Sequence, residues 1–186
     1  MTTQEKINNR LKTFMHVVNE FPDFRYLGDS VLRKPTTEVS NQEGQQIGQK
    51  LGQILIKYRQ IMGFGRGLAA NQIGLPNSVF VTFLDDQIQT YINPKIINFS
   101  DDQCLYRELC LSSGLVWGDI PRSATITLLW KDSQGFDHEE EFTGAKARLV
   151  QHEYEHLMGK YSLDHAEPRS LELCLSDPLL EKLRPA

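Results

Sequence analysis

The chain has 186 residues, 40% of them hydrophobic and 24% charged, which predicts a single globular domain over residues 1–186 with a buried core. Its formal net charge is −4 and it contains no basic run, which argues against a nucleic-acid-binding protein. No apolar stretch is long enough to cross a bilayer, and the first residues lack the apolar segment of a secretion signal. We therefore expect a cytoplasmic protein without a membrane partner.

The N-terminal residues predict an amphipathic helix. Residues 3–18 carry apolar side chains at intervals of three or four, as one face of a helix requires. Thr2 and Glu5 have the spacing of a capping box at its start, and Pro22 ends it. We expect residues 1–24 to form a helical extension that packs on the core or on a partner subunit.

A second capping-box pair, Ser40 and Glu43, opens a periodic run that predicts a helix of about twenty residues. The run stops at residues 63–72, where three glycines occupy every second position at its start. Glycines permit unusual backbone dihedral angles and the close approach of another chain. We interpret residues 63–72 as a loop that ends the helix, and call it the glycine-rich loop.

Runs rich in β-branched and aromatic residues, separated by turn residues, predict strands in the middle of the chain. The expected strands cover residues 79–84, 88–92, 104–112, 125–130 and 136–142. The first two are predicted to form a hairpin that Asn93 and Pro94 close, and the last two a second hairpin.

The motif His-Glu-x-x-His lies in a helix expected to begin near Gly144 and to end before Gly159. His152 and His156 are four residues apart, so both imidazoles can bind one metal ion from the same helical face. Glu153 can reach a water on that ion without being a ligand, and can act as its general base. The sequence therefore predicts an α+β fold in which antiparallel sheets surround this metal-binding helix, with further helices at the N-terminus.

Residue spacing alone leaves the third metal ligand open. Cys110 and Cys174 both occur in the sequence Glu-Leu-Cys-Leu-Ser, and either could supply a thiolate. One thiolate and two imidazoles leave a fourth position for water, which is typical of a catalytic site. The three cysteines of the chain are too few, and odd in number, for a disulfide framework.

The C-terminal tail, residues 166–186, is expected to vary in structure. Alternating leucines predict a strand at residues 171–175, and the alternative is a helical turn or two at residues 177–183.

Three stretches of this chain resemble, in order, the motifs of the peptide deformylases. The family patterns are G-x-G-L-A-A-x-Q, E-G-C-L-S and Q-H-E-x-D-H. The chain has GRGLAANQ at residues 65–72, ELCLS at 108–112 and QHEYEH at 151–156. Together with the segment at 26–35 and the Pro-Arg pair at 121–122, the similarity spans roughly residues 25 to 165.

The resemblance implies a metal centre of one divalent ion held by Cys110, His152 and His156. It implies Fe(II) as the ion, while thiolate and imidazole ligands also admit Zn(II), Ni(II) or Co(II). Glu153 would then move the proton of the attacking water. The side-chain amide of Gln72 and the backbone N–H of Leu111 would stabilise an oxyanion.

The resemblance also implies how a substrate binds. An extended peptide would lie between the glycine-rich loop and the strand of the cysteine motif. The residues expected to contact it are Gly65, Arg66, Gly67, Tyr106 and Leu109. Backbone hydrogen bonds there would be indifferent to side chains, so the pocket for the first side chain would set specificity.

Glu108 and Arg122 resemble the structural ion pair of the family and would support the site. The chain departs from the family motifs at several positions. Leu109 replaces a glycine, Arg66 a small apolar residue, and Glu155 an aspartate. The pair at residues 113–114 replaces an apolar residue followed by proline.

The function implied is a hydrolase that removes the formyl group from the formyl-methionyl N-terminus of nascent peptides at the ribosome and releases formate. One alternative is a zincin-like peptidase, which shares His-Glu-x-x-His but does not usually take a cysteine ligand from before the helix. Another is a deformylase-like protein with a different N-acylated substrate or a non-catalytic metal-binding role. Leu109 and Arg66 favour this last alternative, whereas the intact Glu153 and Gln72 argue against it.

Overall fold

The computed structural model describes residues 1–175, so the helical alternative at residues 177–183 lies outside the described residues. The described chain has three α-helices: α1 (Thr3–Glu20), α2 (Asn41–Met62) and α3 (Gly144–Leu157). Its eight strands are β1 (Gly67–Ala69), β2 (Val79–Leu84), β3 (Gln87–Phe99), β4 (Gln103–Leu109), β5 (Val116–Ser123), β6 (Thr125–Lys131), β7 (Asp137–Thr143) and β8 (Glu172–Leu173). None of the helices within residues 1–175 has the length and apolar character needed to cross a membrane.

The strands form two antiparallel sheets. The larger sheet has the order β1-β2-β3-β6-β7, and the smaller sheet has the order β4-β5-β8. The paired strands are neighbours in the sequence except in the pairs β3–β6 and β5–β8. The predicted α+β fold with antiparallel sheets is confirmed.

The two N-terminal helices begin at the predicted caps. Thr2 Oγ1 accepts from Glu5 N at 3.2 Å, and Glu5 Oε2 accepts from Thr2 N at 2.7 Å, so both halves of the first capping box form. Ser40 Oγ accepts from Glu43 N at 3.3 Å. The second helix, α2, ends at Gly63, whose φ of 77° is the left-handed conformation that glycine adopts most readily.

The strand predicted at residues 88–92 was too short, since β3 continues through Asn93 and Pro94 to Phe99. The pairing of β3 with β6 shifts register between Ile92 and Lys95, so the proline sits in a bulge. Asn93 has a φ of 49°, and its side chain exchanges hydrogen bonds of 2.8 and 3.0 Å with the backbone of Val39. These contacts come from a distant segment, and they hold a backbone shape that local sequence does not favour.

Two strands were not predicted. β1, placed in a loop by its glycines, pairs with β2. β5 contains Pro121, which lacks an N–H, but β8 pairs only with the other end of β5, at Val116 and Trp117. On that side of β5, β8 therefore does not reach Pro121, and no hydrogen bond between these two strands requires the N–H that proline lacks. The predicted strand at 104–112 ends instead at Leu109, and the tail forms the short strand β8.

Two apolar clusters hold the sheets and helices together. One joins α1 and α2 to one face of the larger sheet, and the other joins α3 to Phe80, Tyr91 and neighbouring strand residues. In the first cluster α2 lies very close to β3 because Gly48 stands over Thr90, where a side chain would collide. Buried Ala147, Val150 and Leu157 fix the inner face of α3 in the second cluster, and thereby its histidine face.

Candidate active site

The helix α3 presents its two histidines and the intervening glutamate to the interior. His156 is 1% exposed and Glu153 is 3% exposed, while His152 is half-buried. The imidazole rings of His152 and His156 have centroids 5.2 Å apart, as side chains one helical turn apart should.

Cys110 lies opposite these histidines, in the turn that follows β4. Its Sγ is 3.1 Å from His156 Nε2, and one ligand atom from each of Cys110, His152 and His156 lies within 4.8 Å of the other two. A tetrahedral metal site with S–metal and N–metal distances of ~2.3 and ~2.0 Å spaces its ligand atoms by about 3.5 Å. The three residues therefore fit a metal ion of the kind that thiolate and imidazole bind. Cys174 lies instead at an apolar pocket beside α1.

The charges in this group favour a thiolate. Burial disfavours ionisation of Cys110, but the imidazoles of His156 and His152 outweigh it and lower the pKa of the thiol well below its ordinary value. Burial likewise opposes the charge on His152, but Cys110 and Glu108 raise its pKa well above the ordinary value. A thiolate is the form in which cysteine binds metal.

Glu108 contacts the His152 ring on the side away from Cys110 and His156. Its Oε2 is 2.8 Å from His152 Nδ1, which leaves Nε2 of that ring directed toward the site. Arg122 meets both carboxylate oxygens of Glu108, at 2.7 and 2.9 Å, and also contacts Glu155 at 3.0 Å. Burial raises the pKa of Glu108, but Arg122 and His152 outweigh it and hold that pKa well below its usual range. The expected Glu108–Arg122 pair is present, and Glu155 extends it.

Gln72 is fixed by its own loop and aimed at the cysteine. Its Oε1 accepts from Ala69 N at 2.8 Å, and its Nε2 donates to Ser112 Oγ at 3.1 Å and lies 3.6 Å from Cys110 Sγ. Leu111 opens a 3-10 helix at residues 111–113, and the first N–H groups of a helix have no partner within it. Of the two expected oxyanion donors, Gln72 Nε2 thus lies near the Cys110 sulfur, and Leu111 follows Cys110 in the chain.

Glu153 and Gly67 touch across the site. Glu153 Oε2 is buried without a hydrogen-bond partner among the described residues, and burial raises the pKa of this carboxyl to about 7. A side chain at Gly67 would collide with the Glu153 carboxylate. A glycine at position 67 therefore leaves room for the Glu153 carboxylate.

The other residues expected to contact a substrate occupy different surroundings. Arg66 is exposed, and Gly65, on the same loop, is half-buried. Leu109 lines the apolar pocket beside α1, together with Phe64. Tyr106 faces α3, where the Arg148 guanidinium lies 4.9 Å from its ring centroid.

Arg148 was not anticipated from the sequence. Its side chain reaches Glu108 Oε1 at 2.8 Å and backbone carbonyls of both β4 and β5. A signal was present, because Arg148 precedes His152 by four residues and so shares its helical face. The partner carboxylate, far away in sequence, could not be inferred from that spacing.

An α+β domain that brings a thiolate, two imidazoles and a buried carboxylate together beside amide donors defines a metal-dependent hydrolase. A polypeptide deformylase family profile matches residues 22–172. The chain is 37% identical over 164 residues to the peptide deformylase of Pseudothermotoga lettingae, covering 86% of this chain and 91% of that protein. It is 31% identical over 152 residues to that of Synechocystis sp., covering 78% of this chain and 79% of the relative.

Solved structures agree with these relatives. The peptide deformylase of Thermotoga maritima superposes with a TM-score of 0.70 at 32% identity, covering 78% of this chain and 97% of that one. The Synechococcus elongatus enzyme in complex with actinonin superposes with a TM-score of 0.68 at 34% identity, covering 78% of this chain and 79% of that one. The chain belongs to the polypeptide deformylase family.

Proposed function

We propose that Cys110, His152 and His156 hold one divalent metal ion, at which this deformylase removes the formyl group from formyl-methionyl N-termini of nascent peptides. The observation that carries the proposal is the convergence of the three ligand atoms within 4.8 Å of one another, with a buried carboxylate on the same helix. Fe(II) is the ion proposed, because the family resemblance implies it and a thiolate with two imidazoles suits it.

When bound, the ion supplies Lewis acidity that lowers the pKa of a water and polarises the formyl group. Glu153 takes a proton from the attacking water and delivers it to the departing amine. Its carboxylate lies on the helix of both ligand histidines, and its Oε2 has no hydrogen-bond partner within residues 1–175 that would compete for the proton. Gln72 Nε2 and Leu111 N–H donate to the oxyanion that forms as the formyl carbon is attacked. The Glu108–His152 hydrogen bond keeps the ligand tautomer fixed meanwhile.

The proposed peptide site lies between the two sheets. Within residues 1–175, β1 and β4 are each the edge strand of their sheet, so each can offer backbone groups to an added strand. Their ends meet at the site, where Gln72 follows β1 and Cys110 follows β4. Gly65, Arg66 and Gly67 would flank the peptide on one side, and Leu109 and Tyr106 on the other.

The proposed activity belongs to one domain over residues 1–186, and the family profile match over residues 22–172 supports this. Residues 1–24 would be its N-terminal extension, of which α1 packs on the core through Val17, and residues 166–186 its C-terminal tail. The substrate is formed on the ribosome, so the proposed place of action is the cytoplasm.

The test is formate release from a formyl-Met-Ala peptide by protein purified anaerobically and loaded separately with Fe(II), Zn(II), Ni(II) or Co(II). We expect stoichiometric formate and free Met-Ala, fastest with Fe(II). A zincin-like peptidase would instead cleave the Met–Ala bond and produce free alanine and formyl-methionine. Absence of formate with all four ions would reject the proposed function.

A further inference from the structure

The face between α3 and β4 is built in three successive layers. Alternate residues of β4, and Cys110 just after it, point toward α3, and residues one turn apart on α3 point back. The facing pairs are Cys110 with His156, Glu108 with His152, and Tyr106 with Arg148. The first two layers contain the proposed ligands and the carboxylate behind them. In the third layer Tyr106 would flank the proposed peptide, whereas Arg148 has as yet no part in the proposed function.

Arg148 is held at the end of this face by many polar contacts. Its side chain is 11% exposed, and its Nε lies 2.8 Å from Glu108 Oε1. Its Nη1 donates to Cys104 O at 3.1 Å, and its Nη2 donates to Tyr106 O at 3.2 Å and to Ile120 O. The guanidinium thus connects α3 to both β4 and β5. A planar fork of donors with a single orientation is suited to such a role.

The contact with Glu108 is an ion pair rather than a hydrogen bond, since Arg148 Nε has no hydrogen-bond partner among the described residues. The charge of its guanidinium makes Arg148 a second restraint on Glu108. Arg122 meets Glu108 from β5, but Arg122 also contacts Glu155. Among the contacts of residues 1–175, Glu108 is the only carboxylate that Arg148 meets. The Glu108 carboxylate is therefore fixed between a guanidinium on β5 and one on α3, the helix that also carries His152.

We propose that Arg148 is a positioning residue for the metal site: it fixes Glu108, and through Glu108 the direction and tautomer of the His152 ring. A hydrogen bond from His152 Nδ1 to Glu108 leaves Nε2 as the only nitrogen able to bind metal. A carboxylate free to lean toward Arg122 alone would hold the ring less firmly. Partners behind a ligand typically contribute 10–100-fold in metal affinity, and we expect about tenfold for Arg148 because it acts through another residue.

Arg107 provides a matched control on the opposite face of β4. It is also a buried arginine, with a side chain 6% exposed, an ion pair to Asp119 at 2.7 Å and a ring contact to Trp117 at 5.3 Å. Arg107→Met and Arg148→Met each remove a buried guanidinium and keep an aliphatic stem. Both should destabilise the fold, and only the second should weaken metal binding.

The inference rests on the proposed metal site and is tested first with Co(II) alone. Metal-free wild type, Arg148→Met and Arg107→Met are titrated with Co(II) against a competing chelator, and binding is followed by the thiolate-to-cobalt absorption. We expect a loss of about tenfold in affinity for Arg148→Met and less than about twofold for Arg107→Met. Thermal unfolding of the metal-free proteins identifies conditions in which every variant is folded.

Repeating Arg148→Met in a Glu108→Gln background shows whether Arg148 acts through Glu108. Because the two side chains would work as one unit, we expect the second substitution to add less than about twofold. If Arg148→Met does not fold, Arg148→Lys replaces it in both backgrounds. Its Co(II) affinity should then lie between those of the wild type and Glu108→Gln, because lysine keeps the charge but not the contacts with the backbone carbonyls.

Two results would overturn the inference while leaving the proposed function intact. One is a folded Arg148→Met protein that binds Co(II) as tightly as the wild type. The other is a loss of Co(II) affinity on Arg148→Met that is equally large with Glu108 and in the Glu108→Gln background. A wild-type protein that binds no Co(II) would overturn the proposed function and the inference together.

Discussion

Replacing Gly67 by alanine should impair catalysis by displacing the base. A Cβ at this position would lie 2.5 Å from Cδ and 2.7 Å from Cγ of Glu153, and still closer to Oε1. Non-bonded carbon atoms prefer 3.5–4.0 Å, so the carboxyl group would have to move by about 1 Å. Glu153 is 3% exposed and has little room in which to do so.

The expected magnitude follows from that displacement. Misplacing a catalytic group by ~1 Å costs about 10²-fold in rate, and overpacking a buried position costs about 1–3 kcal/mol of stability. The assay is steady-state formate release by Gly67→Ala, together with its metal content and its unfolding free energy in denaturant. We expect kcat to fall about a hundredfold while the metal is retained, because none of the three proposed ligands is touched.

Gly52→Ala is the control for a glycine-to-alanine change elsewhere. Its Cβ would lie 3.3 Å from Ile88 Cγ2, a tight contact that a small adjustment relieves, and Ile88 is none of the proposed site residues. Its kcat should equal that of the wild type. A Gly67→Ala enzyme with full metal content and near-normal kcat would refute the steric argument and the assignment of Glu153 as base.

Three further predictions concern stability and specificity. Gly48→Ala should destabilise the protein by about 1–3 kcal/mol in denaturant unfolding, since the new Cβ would collide with Thr90, and an unchanged midpoint would contradict this packing. Glu155→Ala should lower the free energy of unfolding by about 1–3 kcal/mol, because it removes one partner of the buried Arg122. An unchanged free energy of unfolding would show that Glu108 alone satisfies Arg122. Arg66→Ile should change kcat/KM for formyl-Met-Ala by less than about twofold, because Arg66 is exposed and its guanidinium can remain in water. A marked preference of the wild type for acidic peptides that the variant loses would show instead that Arg66 turns inward.

The parts of the fold that were predictable are those with local causes. The Thr2–Glu5 capping box determines where α1 begins, the Ser40 cap determines where α2 begins, and Gly63 determines where α2 ends. The second half of the box predicted at α2 does not form, because Glu43 accepts from the side chain of Asn77 instead. The bulge at Pro94 was not predictable, because the contacts that hold it come from Val39. Likewise Pro121 lies within β5 only because β8 is too short to reach it.

The same distinction applies to the site. The spacing of His152, Glu153 and His156 on one helix is a local property, and it predicted the face on which they converge. Spacing could not decide between Cys110 and Cys174, and the resemblance to a known family was needed to favour the first. The position of Cys110 just beyond β4, the collision that forbids a side chain at Gly67 and the reach of Arg148 to Glu108 all depend on which segments meet in three dimensions.

The central claim is that Cys110, His152 and His156 hold the ion while Glu153 moves protons without holding it. The most direct measurement is metal content per chain alongside formate release for Glu153→Ala and Cys110→Ala, purified in parallel with the wild type. Glu153→Ala should retain the metal and release no formate, whereas Cys110→Ala should lose the metal itself. Formate release near the wild-type rate by Glu153→Ala would contradict the account.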